Sequence, residues 1–557
     1  MSGKKNVLFI TADQLRADCI LKGSKYAKFV KTPNLDRLAG EGVTFEKHFN
    51  QAAPCGPARA SLHTSMYARN HGVYDNGVPL RSKLSNWAQA IRSPKLSPRL
   101  IGYVDQTIDL LGPSGVEEAQ VHWDGGYLDG LTRISDTDYM GSRPWLKEVL
   151  HLPDDDRIFK KKRNWNGYRG SVEWLARSNK ADLQSTGKGY SAPALYDAEN
   201  SDASILVQRS IGFIEEESRG GRPWALHLSL LKPHPPWTAP YPFNELYHPD
   251  DIEDLLKEKN SALQGASAEL AGEDTDEHPW LQFLHTVPND YAHHGASGTA
   301  RNLSKKRKLL AMSAYFALLT ELDTCLGKLF ECLKSTGESE NTLVVFTCDH
   351  GEQLYDHGLC GKLGFFEESF HIPLIVVDPF SKSSKGQRIS KFSESIDIGP
   401  TIVEFLTGAS PSNVNGRSLL PAIRGEGEAL GQRDCAIFEY NYSAWGWHRE
   451  EPHLKWAKSL GISVEECGIT VLREDRFKYI HFHKLPPLLF DLKLDPGETK
   501  NVARIAKYAP VVARMEQKLN DWALKQSNTK CPISTLKVVA DNDVRSLGLG
   551  LSLVGKL

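Results

Sequence analysis

Long apolar runs mark three segments of the chain as buried strands. The segments NVLFITADQ at 6–14 and NTLVVFTCDH at 341–350 are continuous, β-rich and too short for a typical helix. A third run, PWALHLSLLKPHPPW at 223–237, has the same character and includes Lys232 and His234 near its end. Continuous apolar strands are typical of parallel sheets that are covered on both faces. We therefore predict that these segments lie inside a parallel sheet.

Between these runs the apolar positions follow a helical spacing. In residues 305–332 they recur every three to four positions, at Leu309, Met312, Phe316, Leu319, Leu322, Leu326 and Leu329. Residues 394–406, ESIDIGPTIVEFL, predict a second helix that is entered through Pro400. Alternating strands and helices predict an α/β fold, in which a large, mostly parallel central sheet carries helices on both faces.

Two long stretches interrupt this pattern. Residues 112–200 and 240–300 are rich in Gly, Pro, Trp and charged residues, and they show little periodicity. We interpret them as insertions over the mouth of the sheet and not as independent domains. Together with the strands and helices they form one large predicted α/β domain at residues 1–430.

From about residue 430 the pattern changes to short strands that are separated by turns. These strands and a helix near 510–526 predict a smaller α+β subdomain at 431–530, with an antiparallel sheet. The predicted strands are DCAIFEY at 434–440, GITVLREDRFKYIHF at 468–482 and PLLFDLKLDP at 487–496. The remaining tail at 531–557 ends in an apolar segment that could pack against a neighbouring subunit.

Two of the predicted strands end in side chains that can bind a metal. Asp13 and Gln14 end the first strand, and Asp349 and His350 end the strand at 341–350. Ligands of open α/β sheets bind outside the carboxyl ends of the strands, so these four side chains are predicted to share one site. Helix capping would explain either pair alone, but hardly both.

Composition and charge argue against several classes of protein. The 557 residues include 67 Lys and Arg against 69 Asp and Glu, so no basic excess is available to bind nucleic acid or an anionic membrane. The sequence shows no uncharged apolar run of about 18 residues and no signal-peptide pattern. Its nine cysteines are scattered and form no C-x-x-C motif, which argues against a disulfide scaffold. We therefore expect a cytoplasmic protein.

The sharpest chemical signal is the segment PCGPARASLHTSMYARNHG at 54–72. It contains C-x-P-x-R, formed by Cys55, Pro57 and Arg59, which is expected by chance about 0.02 times in a chain of this composition. The stretch favours a helix, so Cys55 would lie at a helix N-terminus that attracts an anion. Arg59 would lie one turn further along the same face. The alternative is a buried cysteine beside a structural arginine.

C-G-P-A-R-A-S at 55–61 resembles the signature of the sulfatase family, in the alkaline phosphatase superfamily. Further segments similar to sulfatase motifs are NVLFITADQLRAD at 6–18, TPNLDRLAGEGVTFEKHF at 32–49 and FTCDHGEQLYDHGLCGK at 346–362. Within the family, the chain is most similar to the phosphonate monoester hydrolase and arylsulfatase branch. This similarity rests on the Asp-Gln pair at 13–14, Tyr103 after LIG, and K-P-H-P-P at 232–236.

The resemblance implies two cofactors at the strand ends. Cys55 is expected to be oxidised to Cα-formylglycine by a maturation enzyme. Asp13, Gln14, Asp349 and His350 are expected to bind one divalent metal ion, together with an oxygen of the modified Cys55. Oxygen-rich ligands favour a hard cation, so Mn²⁺ and Ca²⁺ are the main candidates and Mg²⁺ is a third.

The resemblance also implies roles for residues around the metal. Arg59 holds the hydrated nucleophile, Lys362 binds the non-bridging oxygens of the substrate, and His234 protonates the leaving oxygen. Asn76 and Tyr103 contact the transferred group, although a turn and core packing, respectively, also explain them. Each of these residues is therefore a candidate catalytic or substrate-binding residue.

One candidate substrate-binding position departs from the branch. Asp105 stands two residues after Tyr103, where the phosphonate hydrolases that the chain resembles carry a threonine. An additional carboxylate near an anion-binding centre repels substrate unless it is paired. The aspartate at position 105 therefore bears on which substrate is preferred and not on the type of reaction.

The implied function is metal- and formylglycine-dependent hydrolysis of monoanionic esters through a covalent hemiacetal ester. The expected substrates are small phosphonate monoesters, phosphate diesters and sulfate monoesters. The first alternative is a strict arylsulfatase or sugar sulfatase. The others are a phosphatase or mutase that uses Cys55 unmodified, and a non-catalytic scaffold. The resemblance and the apolar tail also lead us to expect a homo-oligomer, either a dimer or a tetramer.

Overall fold

The structure, a computed structural model, describes most of the chain. The described residues are 4–76, 78–81, 84–104, 132–133, 193–194, 196–235, 237–266, 278–285, 298–299, 303–362, 364–381, 385–426, 433–442 and 452–528. Most of the insertion at 112–200, part of the insertion at 240–300, Asp105 and the tail at 531–557 lie outside these residues. The interpretation of the insertions and the expected homo-oligomer therefore stay predictions.

The strands form two sheets and one short ladder. In chain order they are β1 (Asn6–Asp13), β2 (Val43–Phe49), β3 (Arg99–Gly102), β4 (Thr132–Arg133), β5 (Ala225–Pro233), β6 (Gly298–Thr299), β7 (Thr342–Cys348), β8 (Leu359–Cys360), β9 (Leu374–Val377), β10 (Gln387–Glu394), β11 (Cys435–Asn441), β12 (Gly468–Glu474), β13 (Phe477–Phe482) and β14 (Leu488–Asp491). The main sheet has eight strands in the order β10-β2-β9-β7-β1-β5-β3-β4. Among its described strands only β9 runs antiparallel to its neighbours, so the prediction of a mostly parallel sheet is confirmed.

Helices cover both faces of the main sheet, as predicted. The described α-helices are α1 (Pro33–Glu41), α2 (Cys55–Thr64), α3 (Ala68–His71), α4 (Trp87–Ile91), α5 (Asp202–Gly220), α6 (Pro249–Ala266), α7 (Pro279–Leu284), α8 (Lys305–Ser335), α9 (Glu367–Phe370), α10 (Ile398–Thr407), α11 (Leu420–Arg424), α12 (Pro452–Ser459) and α13 (Ala509–Asn528). Leu8 and Ile10 of β1 belong to the core that contains α8, whereas Val7 and Phe9 belong to the core that contains α10. This alternation arises because successive side chains of a strand point to opposite faces.

The two longest apolar features lie inside the molecule. Every residue of β1, β5 and β7 is buried, which explains their continuous apolar sequences. Helix α8 is long and apolar enough to cross a membrane, but 94% of its most apolar 18-residue window is buried inside the molecule. Its apolar sequence is therefore explained by its place in the core of the molecule. The helices α6 and α7 lie in the insertion at 240–300, where the low periodicity did not predict them.

The register of the strands brings their carboxyl ends to one edge of the sheet. Ala12 of β1 pairs with Cys348 of β7, and Asp13 pairs with Pro233 of β5. Gly102 at the end of β3 has φ of +99°, and a Cβ atom there would lie 1.9 Å from the carbonyl oxygen of Ser229. Only glycine permits this approach of β3 to β5. The residues that follow β1, β3, β5 and β7 therefore face one another.

The C-terminal part forms the predicted antiparallel sheet, in the order β11-β12-β13-β14, and α13 packs against it. A buried ion-pair network connects it to the main domain. Arg433 Nη1 lies 2.7 Å from Glu394 Oε2, and its Nη2 lies 2.7 Å from Asp397 Oδ1. The α+β subdomain is thus confirmed as an architecture. Its predicted boundary near residue 430 falls at residues 427–432, which are not described, and stays a prediction.

Candidate active site

Four side chains from three elements meet at the carboxyl edge of the main sheet. Asp13 ends β1, Cys55 begins α2, and Asp349 and His350 directly follow β7. All four are buried, and each offers one ligand atom within 4.8 Å of the others. Two carboxylates and an imidazole suit a hard divalent cation such as Mn²⁺. The donor set therefore fits the metal that the sequence implies.

Gln14, the residue after β1, borders this centre and carries an amide oxygen. Its backbone has φ of +66°, in the left-handed region, and its backbone N–H donates to Asp349 Oδ1 at 3.1 Å. Its Oε1 accepts a hydrogen bond from Lys362 Nζ at 3.0 Å. The same ammonium group donates to Cys55 Sγ at 2.9 Å. The amide oxygen of Gln14 and the sulfur of Cys55 are therefore joined through Lys362.

Helix α2 positions Cys55. Pro54 precedes the helix and has no side-chain group that could cap it, but Asn76 Oδ1 accepts a hydrogen bond from Gly56 N at 2.7 Å. Asn76 thus replaces a local cap and fixes the first turn. Every residue of α2 is buried, which holds its N-terminus rigidly against the sheet. The predicted contact between Asn76 and a substrate stays a prediction.

Arg59 lies one helical turn beyond Cys55 and is fully buried. Its Nε donates to Asp349 Oδ2 at 2.9 Å, and its Nη2 donates to Asp13 Oδ2 at 3.2 Å. The Tyr103 hydroxyl accepts from the same Nη2 at 2.9 Å and donates to Asp13 Oδ2. Because one guanidinium spans both carboxylates, it fixes their separation. Tyr103 supports Asp13 directly, and its contact with a substrate stays a prediction.

Electrostatics keep two of the candidate ligands, Asp349 and His350, in the protonation states that a metal requires. Burial opposes ionisation of Asp349, but His350, Arg59 and Lys362 lower its pKa well below the usual range. Burial lowers the pKa of His350 to about 3, so its imidazole is neutral at neutral pH. The carbonyl oxygen of Gly351, 3.0 Å from His350 Nδ1, can only accept, so Nδ1 carries the hydrogen. The Nε2 lone pair then faces the centre.

Two basic side chains border the same centre. Burial lowers the pKa of Lys362. The adjoining Cys55 and Asp13 raise this pKa by more than burial lowers it, so it lies above its usual value. Burial and then the charge of Lys362 lower the pKa of His234 well below its usual value. His234 Nδ1 lies 2.6 Å from the carbonyl oxygen of Pro235, so Nδ1 carries the hydrogen of the neutral ring. Lys362 is therefore a fixed cation and His234 a neutral imidazole.

Sequence reasoning missed two buried hydroxyl groups beneath Arg59. Ser229 Oγ accepts from Arg59 Nη1 at 2.8 Å, and Thr11 donates to Ser229 Oγ at 3.0 Å. Both residues are fully buried. The sequence contained a signal for both residues, because each is polar within an apolar run: Thr11 in the run at 6–14 and Ser229 in the run at 223–237. Buried polar groups need partners, so such positions indicate a polar network.

The lysine of K-P-H-P-P has a different partner from its neighbour His234. Lys232 Nζ lies 2.6 Å from Glu321 Oε1 of α8 and 3.3 Å from Asp202 Oδ1 of α5. All three side chains are almost fully buried. The ion pairs attach the end of β5 to both helices. Lys232 therefore anchors the segment that carries His234.

Comparisons with known proteins identify the family of the chain. A sequence model of the sulfatase family matches residues 5–409, and a model of the N-sulphoglucosamine sulphohydrolase C-terminal region matches residues 355–525. The chain is 34% identical to the multifunctional alkaline phosphatase superfamily protein PehA of Trinickia caryophylli, across 94% of this chain and 96% of that protein. It is 27% identical to the choline-sulfatase of Rhizobium meliloti, across 90% of this chain and 83% of that protein.

Solved structures give the same result. The phosphonate monoester hydrolase of Agrobacterium radiobacter is 30% identical, with a TM-score of 0.75, and the match covers 94% of this chain and 96% of that one. The enzyme of the same name from Silicibacter pomeroyi is 28% identical, with the same TM-score and coverage. Because the family model spans most of the chain and these relatives span almost all of it, the protein belongs to the sulfatase family of the alkaline phosphatase superfamily and is a sulfuric or phosphoric ester hydrolase.

Proposed function

We propose that the protein hydrolyses small monoanionic esters, namely phosphonate monoesters, phosphate diesters and sulfate monoesters, with formylglycine made from Cys55. The observation that carries this proposal is the position of Cys55. Its Sγ lies 2.9 Å from Lys362 Nζ and 3.1 Å from His350 Nε2, inside the candidate metal centre. A residue at this point would contact both a bound metal and Lys362, the cation that would bind the ester. The names of the relatives include both phosphonate and sulfate ester hydrolases.

Each part of the site has a defined task in this reaction. A bound divalent cation would act as a Lewis acid and lower the pKa of an attacking hydroxyl. Oxidation of Cys55 would supply that hydroxyl, through the hydrate of an aldehyde. Arg59 fixes the relative positions of the Asp13 and Asp349 carboxylates, and Lys362 binds the non-bridging oxygens of the ester. These groups are organised before substrate binds, so little reorganisation accompanies the reaction.

The charge balance of the site favours a monoanion. Arg59, Lys362 and a divalent cation oppose the carboxylates of Asp13, Asp349 and Glu352, which leaves about one net positive charge. Sulfate monoesters, phosphonate monoesters and phosphate diesters carry one negative charge at neutral pH. Phosphate monoesters carry nearly two, because their second pKa is about 6. A dianion would therefore be less well compensated.

A panel of four p-nitrophenyl esters, one from each class, tests the substrate class. We expect the phosphonate monoester and the phosphate diester to have the highest kcat/KM, and the sulfate monoester to be accepted. The phosphate monoester should be at least about 10-fold poorer, because a site with one net positive charge compensates a dianion less well. A preference for the phosphate monoester would contradict the charge argument. A preference for sulfate by several orders of magnitude would favour the second candidate function, a strict sulfatase, which the similarity to a choline-sulfatase also supports.

His234 is proposed to deliver a proton to the leaving oxygen. The neutral ring must first gain this proton at Nε2, and the negative charge of a bound ester favours that step. We expect His234→Ala to lower kcat/KM about 100-fold or more for alkyl esters, whose alcohols are poor leaving groups. The loss should be much smaller for p-nitrophenyl esters, whose phenol needs little protonation. A matched control is the exposed His248→Ala. Equal losses on both substrate classes would assign His234 a binding role.

A further inference from the structure

Glu352 is a fully buried carboxylate beside the candidate metal centre that sequence reasoning did not single out. It lies in the loop after β7, and Gln14 Nε2 donates a hydrogen bond to its Oε2. Its Oε1 accepts from two backbone groups, Leu354 N at 2.9 Å and Gly361 N at 2.7 Å. One carboxylate therefore contacts the end of β1, its own loop and the loop that carries Lys362.

We propose that Glu352 is a positioning residue that selects the orientation of the Gln14 amide and thereby sets the affinity of the centre for its metal. The proposal rests on the proposed metal-dependent function. A carboxylate oxygen accepts hydrogen bonds, so it holds the NH₂ group of Gln14 and not the amide oxygen. The oxygen then faces Lys362 Nζ at 3.0 Å, on the side of Cys55.

The opposite orientation of the amide is unfavourable at both ends. It would place the Gln14 oxygen against the Glu352 carboxylate, acceptor against acceptor. It would also place the NH₂ group against the Lys362 ammonium and the cation site, where an oxygen ligand is needed. An amide by itself has no preference between the two orientations, which differ only in the exchange of O and N. Lys362 and Glu352 supply that preference from opposite ends of the amide, and Glu352 does so by binding the NH₂ group.

Glu352 also fixes the loop that carries Lys362. Gly361 donates to Glu352 Oε1, while its carbonyl oxygen accepts from Gln353 N at 2.7 Å. Both sides of the Gly361 peptide are therefore bonded to the loop after β7. Since Lys362 is the next residue, its ammonium group is aimed at Gln14 and Cys55 by the same carboxylate that orients the amide.

Two variants, E352Q and the exchange Q14E/E352Q, test whether Glu352 orients the Gln14 amide. In E352Q one oxygen can still accept from the two backbone N–H groups, but the new NH₂ group opposes the NH₂ group of Gln14. If the Gln14 amide keeps its orientation it loses its acceptor, and if it turns it presents NH₂ to Lys362 and the cation, so both arrangements weaken metal binding. We expect the affinity of the full-length protein for Mn²⁺, measured by titration calorimetry after removal of bound metal, to fall about 10- to 100-fold. In the double variant Q14E/E352Q the donor and acceptor exchange places and an oxygen again faces the centre, so affinity should return.

A matched control lies at the other end of β1. Glu338 is also buried, and its Oε2 accepts from Asn6 Nδ2 at 2.6 Å. E338Q makes the same chemical change far from the metal centre and should leave Mn²⁺ affinity unchanged. Thermal unfolding of each variant reports whether it is folded.

The outcomes separate this inference from the proposed function. If the unsubstituted protein binds no divalent metal, the proposed metal-dependent function is wrong. If it binds metal and E352Q binds it equally well, or if the double variant stays as weak as E352Q, the orienting role of Glu352 is wrong. If E352Q does not fold, the double variant still decides, because the exchanged pair predicts a folded protein that binds metal. A double variant that is unfolded or binds no metal contradicts the inference.

Discussion

We expect Asp13→Asn to abolish divalent-metal binding and hydrolase activity together. Asp13 Oδ2 accepts from Tyr103 OH and from Arg59 Nη2, and Oδ1 lies 3.8 Å from His350 Nε2. An asparagine there removes one negative charge and places an NH₂ group either against these donors or against the cation. The buried centre then holds the charge of Arg59 with Asp349 alone as its carboxylate partner. With one carboxylate left to balance Arg59, a second cation in the buried centre is strongly unfavourable.

The expected loss of turnover is at least about 1,000-fold, because a bound metal would both lower the pKa of the attacking hydroxyl and compensate the charge that develops on the ester. Metal content of the dialysed protein, measured by plasma mass spectrometry, should fall from one equivalent to nearly none. Asp378→Asn is a matched control, since Asp378 is also buried and paired, with Arg424 Nε at 2.7 Å, but is not among the candidate ligands. Stoichiometric metal in an Asp13/Asp349 double replacement would contradict the assignment of the ligands.

We expect Cys55→Ala to abolish turnover but to leave the fold and most of the candidate metal site in place. The side chain is at the N-terminus of α2, 2.9 Å from Lys362 Nζ. Loss of a covalent nucleophile lowers kcat by on the order of 1,000-fold or more. Asp13, Asp349 and His350 remain, so the variant should still bind metal at higher concentration. Cys435→Ala, at a partly buried cysteine of the C-terminal sheet, is the control and should retain activity.

The chemical state of Cys55 provides an independent measurement. Oxidation of the thiol to the aldehyde lowers the mass of the peptide that contains Cys55 by about 18 Da. We expect kcat per chain to rise in proportion to the fraction of this lighter peptide when preparations of different maturation are compared. Full activity in a preparation that carries only unmodified cysteine would favour the alternative of a phosphatase or mutase that uses the thiol directly.

The sequence predicted those features whose cause is local. The buried strands at 6–14, 223–237 and 341–350 were predicted because a strand that is covered on both faces must be apolar throughout. The C-x-P-x-R spacing predicted Cys55 at a helix N-terminus and Arg59 one turn later, because helical geometry fixes that relation. Polar residues at two strand ends predicted a shared site, since parallel strands end at one edge.

Features that depend on contacts between distant segments were not predictable in this way. The antiparallel strand β9 and the helices α6 and α7 are short or weakly periodic, and their positions follow from packing. Asp105 falls outside the described residues, so the departure at this position stays open to experiment.

The sequence by itself determined the type of chemistry, through residue types at fixed local spacings and through resemblance to the sulfatase family. The tertiary structure alone decided how these residues support one another. Gln14 and Glu352 are 338 positions apart, and Arg59 and Ser229 are 170 positions apart, yet each pair is hydrogen-bonded. No local pattern encodes such pairs, because the distance between them is set by the register of β1 with β5 and β7 and by the packing of α2 on the sheet. The orientation of an amide and the separation of two carboxylates are therefore properties of the folded chain.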